Sequence, residues 1–200
     1  MKLIIVSGFL GSGKTTLLLA LVRRLSAGGA GKIVIVENEV GAVGIDNQYL
    51  SMRGLEVREL YAGCVCCSLA TDLVTTLRQI AAVLQPELVF VEPSGVARPD
   101  NLAVTVRRYA REVSAIRVLG LVDATRYEVI KEVVQPLLEA TVAAADLLLV
   151  NKADLCSPEE VAAIGADLAS MRPGDGSPGA AIVPISALEG TNLDLVVARL

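Results

Sequence analysis

Residues 8–15 read Gly8-Phe9-Leu10-Gly11-Ser12-Gly13-Lys14-Thr15, and this stretch decides the fold. It fits the pattern G-x-x-x-x-G-K-[ST] at every fixed position, between an apolar run and a helical pattern. The glycines let consecutive backbone N–H groups turn towards phosphate oxygens, and the positive end of the following helix strengthens that field. The stretch therefore predicts a phosphate-binding loop, in which Lys14 neutralises the β- and γ-phosphates and the Thr15 hydroxyl ligates Mg²⁺.

Short apolar runs alternate with helical patterns on both sides of this loop. Because strand–helix repetition implies right-handed crossovers, it predicts an α/β protein with the three-layer P-loop NTPase fold, a mainly parallel, doubly wound sheet flanked by helices. Ligands of such sheets bind at the carboxyl ends of the strands, so the segments after each strand are the candidate sites. The predicted strands are Lys2–Val6, Lys32–Val36, Glu56–Leu60, Leu88–Val91, Ile116–Val122, Asp146–Val150 and Ala181–Ile185; the predicted helices are Lys14–Ala27, Thr71–Leu84, Pro99–Val113, Arg126–Ala145, Pro158–Ser170 and Asn192–Leu200.

Composition narrows the class of protein. The chain has 200 residues without a Gly/Ser linker or a Pro-rich tract, which predicts a single domain over 1–200. The net charge is −4, and no Lys/Arg stripe with interleaved aromatics favours nucleic acid as a partner. The chain has no His, which excludes Ser-His-Asp catalysis and imidazole metal ligands from it.

Mean hydropathy is high, at +0.57, but it does not predict a membrane segment. A spanning helix needs about 20 consecutive apolar residues, and no run in the sequence reaches that length. Glu139 and Asp146 interrupt the longest candidate, 137–150. We therefore expect a soluble cytoplasmic protein whose four Cys are thiols rather than disulfides.

Asn151-Lys152-Ala153-Asp154 follows the run 146–150 and has the N-K-x-D pattern of P-loop GTPases. The Asp154 carboxylate could accept hydrogen bonds from guanine N1–H and the exocyclic amine together, a donor pair that adenine lacks. Ser186-Ala187 follows the next strand and resembles the loop whose backbone amide meets guanine O6. The alternative is that Asp154 only caps the helix that begins near Ser157-Pro158. Taken together, the two segments favour GTP over ATP.

Acidic residues follow two further strands. Glu92, in Glu92-Pro93-Ser94-Gly95, stands where a Walker B carboxylate orients Mg²⁺, and the Gly95 N–H could reach a γ-phosphate; a plain turn is the alternative. Glu37-Asn38-Glu39 and Gly44-Ile45-Asp46 follow the strand 32–36. Glu39 and Asp46 could hold Mg²⁺ or the attacking water, or be solvated loop acids. The catalytic candidates are therefore Lys14, Glu39, Asp46 and Glu92.

Gly63-Cys64-Val65-Cys66-Cys67 places three thiols within four residues. Such a cluster could converge on one soft cation, with Zn²⁺, Co²⁺, Ni²⁺ or Cu⁺ compatible. The alternatives are buried Cys acting as small apolar residues, or an oxidised pair, which the vicinal Cys66–Cys67 geometry disfavours. Cys64, Cys66 and Cys67 are thus candidate transition-metal ligands, whereas Cys156 has no such partners in the sequence.

These segments together resemble the CobW-type metallochaperone GTPases, relatives of UreG and HypB. The features that carry the resemblance, in the family's order, are Gly8–Thr16, Glu37-Asn38-Glu39, Gly44-Ile45-Asp46, Gly63–Cys67, Glu92–Gly95 and Asn151–Asp154. The Cys-x-Cys-Cys segment is the most specific of them. The resemblance implies GTP and Mg²⁺ as cofactors, nucleotide contacts that include Thr16, slow GTP hydrolysis, and loading or delivery of Zn, Co or Ni to a client metalloprotein or cofactor pathway. A nucleotide-dependent homodimer is a further expected partner arrangement.

One departure from the family limits what can be carried over. Many members have a C-terminal domain and a His-rich stretch, whereas this sequence ends at Leu200 and has no His. We expect either a minimal form without that domain or a piece of a longer chain. Two other functions remain open: a GTP-gated regulatory module that binds a protein partner, and a P-loop kinase, which the Asn-Lys-Ala-Asp pattern disfavours.

Overall fold

The computed structural model of the chain describes residues 1–37, 56–59, 69–93, 99–172 and 181–200. Its strands are β1 Lys2–Gly8, β2 Ile33–Glu37, β3 Glu56–Glu59, β4 Leu88–Glu92, β5 Ala115–Asp123, β6 Leu147–Asn151 and β7 Ala181–Pro184. Its α-helices are α1 Lys14–Ala27, α2 Leu69–Val83, α3 Pro99–Tyr109, α4 Tyr127–Ala144, α5 Pro158–Ser170 and α6 Leu193–Val197. Short 3₁₀ turns cover Ala124–Arg126 and Ala153–Leu155.

The described strands form one parallel sheet in the order β3-β2-β4-β1-β5-β6-β7. β1 lies at the centre of the sheet, between β4 and β5. The next three strands along the chain, β2, β3 and β4, lie on one side of it, and β5, β6 and β7 lie on the other. Such a reversal of strand order opens a crevice at the carboxyl ends of the strands. The predicted doubly wound parallel sheet is confirmed, and the 8–15 loop enters this crevice directly from the central strand.

Alternate side chains of the strands face two helical layers. Ile4 and Val6 of β1 are buried with residues of α1 and α6, whereas Leu3 and Ile5 are buried with residues of α2 and α3. α4 and α5 cover β5 and β6 in a third cluster. The period of two in burial is what a sheet covered on both faces requires, since successive side chains point to opposite sides. The phosphate loop is therefore mounted on a rigid, fully covered strand.

Most strands continue one or two residues beyond the apolar runs that predicted them. Gly8 still pairs with Leu121, Glu37 with Glu92, and Asp123 with Asn151. A polar residue ends the hydrophobic pattern, but its backbone can still complete the ladder of hydrogen bonds. As a result, the polar residues at the carboxyl edge are held by the sheet itself.

The helix boundaries predicted from the sequence hold at both ends for α1 and α5, but two others were wrong at their C-terminal ends. α3 was predicted to reach Val113 and ends at Tyr109, because the Ser114 N–H and hydroxyl both donate to the Met1 carbonyl and draw the chain into the sheet. α6 was predicted over 192–200 and covers Leu193–Val197. Its N-terminal flank, Asn192, has φ of 60°, which is outside the helical region.

α4 was predicted as one continuous helix and contains an interruption. Val134 has φ −137° and ψ 36°, and Pro136 lies inside the helix. Proline has no N–H to donate and its ring clashes with the carbonyl four residues before it, so the helix bends at this point. Among the residues that the structure describes, no helix combines the length and apolar character needed to cross a membrane.

Candidate functional site

The phosphate loop depends on glycine at positions where other residues would be strained or would collide. Gly11 and Gly13 have φ of 74° and 96°, in the left-handed region. A Cβ on Gly13 would lie 2.4 Å from Asn151 Nδ2, and one on Gly8 would lie 2.5 Å from the Leu121 carbonyl oxygen. The loop therefore fits tightly against β5 and the residue that ends β6. Glycine is therefore required in this loop both by the backbone conformation and by the close packing of neighbouring residues.

Two polar side chains of the loop, those of Ser12 and Lys14, are buried. The Ser12 hydroxyl is buried and makes no hydrogen bond to the described residues. Lys14 is 6% exposed, and its Nζ donates to the Phe9 carbonyl at 3.1 Å. A buried hydroxyl without a partner is unfavourable unless a ligand satisfies it. The cradle thus has the donors that an anionic phosphate group requires, together with the positive N-terminus of α1.

Glu92, at the end of β4, meets Thr15 at the start of α1. The Thr15 hydroxyl lies 3.1 and 3.0 Å from the two carboxylate oxygens of Glu92. Glu92 Oε1 lies 3.9 Å from Lys14 Nζ. A hydroxyl and a carboxylate are hard oxygen donors of the kind that Mg²⁺ accepts, so the two residues fit a magnesium ion at the edge of the phosphate cradle. Thr16 follows in the first turn of α1, and its side chain is exposed.

Asn151 joins the phosphate loop to the loop after β7. Its Nδ2 donates to the Ser12 carbonyl at 2.8 Å, and its Oδ1 accepts from the Ala187 amide at 2.9 Å. The side chain is 2% exposed, so both bonds are shielded from water. The Ala187 amide, in the loop that resembles the one meeting guanine O6, therefore donates to Asn151 in this structure. Ser186 and Ala187 are both buried beside it.

Asp154 lies in the 3₁₀ turn after β6, and its side chain is exposed. The helix-cap alternative can be judged directly, because Ser157 is the cap of α5. The Ser157 hydroxyl accepts from Glu160 N at 3.2 Å, and the Glu160 carboxylate accepts from Ser157 N at 2.7 Å. This reciprocal capping box satisfies the start of α5 without Asp154. The Asp154 carboxylate is left exposed to solvent.

Asp123 and Arg126 are site residues that the sequence motifs do not include. Asp123 ends β5 and is fully buried, and it accepts from Lys152 Nζ at 2.7 Å and from Arg126 Nε at 2.9 Å. Burial alone would raise the pKa of Asp123, but hydrogen bonds from Lys152, Thr125 and Arg126 outweigh it and hold the pKa below its ordinary value. The carboxylate is thus ionised at neutral pH. An acid directly after the run 116–122 was the available signal.

Several predicted site residues lie outside the described residues: Glu39, Asp46, Gly95, Cys64, Cys66 and Cys67. Within the part of the chain that is described, no group of three His, Cys, Asp or Glu side chains is arranged to hold a metal. Cys156 is described and is a half-buried free thiol. Burial raises the pKa of the Cys156 thiol, with Glu160, Asp123 and Asp154 adding to the effect, so it is a poor thiolate.

Comparison with known proteins places the chain among GTPase-type nucleotide-binding domains. The family model described as CobW/HypB/UreG, nucleotide-binding domain, matches residues 2–176. The zinc chaperone YjiA of Escherichia coli is 31% identical over 167 residues, which are 78% of this chain and 50% of the relative. The zinc chaperone YeiR of the same organism is 29% identical over 162 residues, 80% of this chain and 49% of the relative. The chain spans about half the length of these relatives.

Solved structures share the fold. The hydrogenase maturation factor HypB from Archaeoglobus fulgidus superposes with a TM-score of 0.70 at 18% identity, covering 100% of this chain and 88% of that one. The Zn(II)-bound YjiA GTPase from Escherichia coli superposes with a TM-score of 0.58 at 23% identity, covering 86% of this chain and 56% of that one. At such identities the likeness is one of fold, and it confirms the predicted three-layer P-loop NTPase fold.

Proposed function

Because the chain belongs to the CobW/HypB/UreG family of nucleotide-binding domains, we propose that it is a GTP-driven metallochaperone. In this proposal it binds GTP with Mg²⁺ in the crevice and hydrolyses the nucleotide slowly. The cycle is coupled to binding a transition metal and delivering it to a client metalloprotein or cofactor-pathway enzyme. Since the chain spans about half of its relatives, the activity of the whole protein is part of the proposal.

The observation that carries the nucleotide part is the double hydrogen bond of Asn151. This buried amide fixes the phosphate loop, through Ser12, and the loop after β7, through Ala187, in one arrangement. Asp154, three residues later, is exposed and does not cap α5. To select guanine, a protein needs a carboxylate that is free to accept from two adjacent donors and is held in a fixed position. Asp154 closely follows Asn151, which holds the two loops in place, and this supports GTP rather than ATP.

Thr15 and Glu92 would hold the magnesium ion, and Mg²⁺ would supply charge neutralisation for the transferring phosphoryl group. Lys14 neutralises the same group from inside the cradle, next to the unpartnered Ser12 hydroxyl. The described residues near the cradle include no strong general base, which supports turnover well below the ~1–10³ s⁻¹ of ordinary enzymes. Glu39 and Asp46 stay catalytic candidates in this proposal, as does the Gly95 amide for the γ-phosphate.

The metal part depends on the thiols of Cys64, Cys66 and Cys67. Three thiolates suit a soft or borderline cation, and the curated relatives are named zinc chaperones, which supports Zn²⁺ ahead of Co²⁺ or Ni²⁺. With no His in the chain, water, a carboxylate or a second subunit would complete a tetrahedral site. A nucleotide-dependent homodimer is therefore part of the proposal.

The proposed preference for GTP is tested by changing the hydrogen-bonding group at position 154 and measuring which base the protein then binds. The parent should bind a fluorescent GTP analogue in preference to the ATP analogue. Asp154→Asn should weaken GTP by about tenfold or more, because a charge-assisted pair of hydrogen bonds is lost, and should admit xanthosine triphosphate, whose base accepts where guanine donates. Glu139→Gln, an equal change of charge on an exposed face of α4, is the control and should leave both affinities unchanged.

Equal affinity of the parent for GTP and ATP would contradict the proposed base selection. A regulatory module without metal delivery would still prefer GTP, so nucleotide binding cannot distinguish the two functions. Metal binding can. Zn²⁺ or Co²⁺ titration should show one site per chain that is lost in Cys66→Ser. Retention of that stoichiometry and affinity in Cys66→Ser would place the metal elsewhere and remove the support for delivery through these thiols.

A further inference from the structure

One buried carboxylate, that of Asp123, links Lys152 of the Asn151–Asp154 motif to the phosphate loop. Asp123 ends β5 with 0% of its surface exposed and accepts four hydrogen bonds. Its Oδ1 accepts from the Thr125 amide at 3.0 Å and from the Thr125 hydroxyl at 2.7 Å, while its Oδ2 accepts from Lys152 Nζ and Arg126 Nε. A buried ionised group is unfavourable unless it is paired in this way. Neither the sequence motifs described above nor the proposed base selection includes this residue.

Both cations held by Asp123 also donate to the phosphate loop. Lys152 Nζ donates to the Gly11 carbonyl at 3.0 Å, and Arg126 Nη2 donates to the Leu10 carbonyl at 2.8 Å. These are consecutive peptide groups at the outer turn of the loop. Since a trans peptide is planar, its N–H points away from its C=O, so holding the two carbonyls fixes the orientation of the Gly11 N–H and of the Ser12 N–H, which donates to the Phe9 carbonyl at 3.1 Å. Backbone N–H groups in such a loop are the donors that bind phosphate.

We propose that Asp123 is a positioning residue for nucleotide binding. It holds Lys152 and Arg126 against consecutive carbonyls and so fixes the conformation of the phosphate loop relative to Lys152. The proposal rests on the nucleotide-binding function proposed above. Arg126 can act on both partners because its guanidinium presents Nε to Asp123 and Nη2 to Leu10 in a fixed fork. A Cβ on Gly11 would lie 3.0 Å from Arg126 Nη2, so the guanidinium lies directly over the loop.

A positioning role predicts that the effects of the two substitutions on GTP affinity are not additive. If Asp123 acts through Lys152, then replacing Lys152 should weaken GTP binding less in the Asp123 variant than in the parent. A residue that merely stabilises the fold would instead lower the melting temperature and leave the two effects on nucleotide affinity additive. The relevant comparison is therefore a double-mutant cycle on GTP affinity, with thermal unfolding measured on the same samples.

The test compares Asp123→Asn with the matched control Asp167→Asn. Asp167 of α5 also accepts from a lysine and a hydroxyl, but its partners Lys131 and Tyr127 both belong to α4. With a fluorescent GTP analogue, Asp123→Asn should weaken binding by about tenfold or more, as expected for a lost charged hydrogen bond, while Asp167→Asn stays within about twofold of the parent. In the cycle, Asp123→Asn with Lys152→Gln should bind no more than about threefold weaker than the worse single variant.

Arg126 provides a second route if Asp123→Asn does not fold. Its side chain is 47% exposed, so Arg126→Gln and Arg126→Lys should both fold. Both should weaken GTP binding, because lysine keeps the charge but lacks the fork that reaches Asp123 and Leu10 together. Full affinity in Arg126→Lys, additive effects in the cycle, or equal effects of the Asp123 and Asp167 substitutions would overturn the positioning role. A parent that binds no GTP would overturn the proposed function itself, and this inference with it.

Discussion

At the scale of single residues, the site is made by polar side chains that end buried strands. Glu92 and Asn151 each stand one position beyond an apolar run, and Asp123 does the same on β5. The strand ladder still includes them, so each side chain has a backbone that is fixed by its neighbours. This explains how a short polar group such as Asn151 can hold two loops at once: it does not have to be ordered when a ligand binds.

Gly13 gives a direct test of how tightly this arrangement is packed. Gly13→Ala adds a Cβ that would lie 2.4 Å from Asn151 Nδ2, at a residue whose φ is 96°. We expect nucleotide binding to fall by more than about tenfold, because Asn151 must leave its bond to Ser12, and unfolding to become easier by about 1–3 kcal/mol from backbone strain. Fluorescent-nucleotide titration and urea unfolding measure the two effects.

Gly29→Ala is the matched control for that substitution. Gly29 also has positive φ, at 81°, but a Cβ added there would meet no atom of the described residues within 4 Å. It should therefore show the cost of strain, about 1–2 kcal/mol, without any loss of nucleotide affinity. Normal binding by folded Gly13→Ala would show that Asn151 tolerates displacement, contrary to this account.

The sequence predicted those parts of the site that follow from local pattern. The glycines, Lys14 and Thr15 are determined by a motif that works through its own backbone, and Asn151 and Asp154 belong to a second short motif. Asp123 and Arg126 could not be found in that way, because their role depends on β5 lying between β1 and β6. Only the strand order brings Asp123 level with Asn151 and places Arg126 over the loop after β1.

At the scale of elements, local capping signals explain which boundaries were predictable. α1 begins after Gly13 and ends at Ala27 before Gly28, and α5 begins with the Ser157 box and Pro158, so both predicted ranges agree with the structure. α3 has no such stop signal, and it ends where Ser114 reaches Met1. A helix end that is determined by local capping residues can be predicted from the sequence. A helix end that is determined by a hydrogen bond to a distant part of the chain cannot.

Ser157→Ala tests the assignment of the α5 cap, and with it the freedom of Asp154. Loss of the hydroxyl that accepts from Glu160 N should lower the free energy of unfolding by about 0.5–2 kcal/mol. Ser170→Ala, at the other end of the same helix, should change it by less than about 0.5 kcal/mol, since its exposed hydroxyl donates to a carbonyl within the helix. Urea unfolding of the two variants provides the comparison.

GTP affinity distinguishes the two interpretations of Asp154 in the same variants. If Ser157 is the cap, Ser157→Ala should leave GTP preference intact, because Asp154 is not engaged at the helix start. A Ser157→Ala variant of parental stability would show that another group, such as Asp154, can satisfy the first turn of α5. The base-recognition role of Asp154 would then have a competing structural role.

At the scale of the whole molecule, strand order puts β3, the last described strand before Cys64, two places from β4 and its Glu92. β2 is paired with β4 on one side and with β3 on the other, and Glu37 pairs with both Glu92 and Glu59. The chain leaves β3 at Glu59, five residues before Cys64. β3 therefore ends at the same carboxyl edge of the sheet as β4, which carries Glu92. Residues 60–68, with Cys64, Cys66 and Cys67, lie outside the described residues.

That placement predicts energetic coupling between metal and nucleotide. The segments 38–55 and 60–68 both begin at strands on the same side of the sheet as Glu92, so a rearrangement around the γ-phosphate would act on both. GTP could complete a three-thiolate site by bringing in a carboxylate such as Glu39, and hydrolysis would open it again. Linkage requires that the metal tighten GTP by the same factor by which GTP tightens the metal, and we expect about 1–3 kcal/mol.

The measurement is a titration of Co²⁺ or Zn²⁺ into the nucleotide-free, GDP-bound and GTP-analogue-bound forms, repeated with Cys66→Ser and with Cys156→Ser. Affinity should rise by about 5–150-fold in the GTP-analogue form of the parent, and the reverse titration of nucleotide should show the same factor. Cys66→Ser should abolish the effect. Cys156→Ser should preserve it, because the Cys156 thiol has a raised pKa and lies beside α5 rather than next to Glu92. Identical metal affinity in all three nucleotide states would make the thiols a passive site, and the domain would then be better explained as a GTP-gated module that acts on a protein partner.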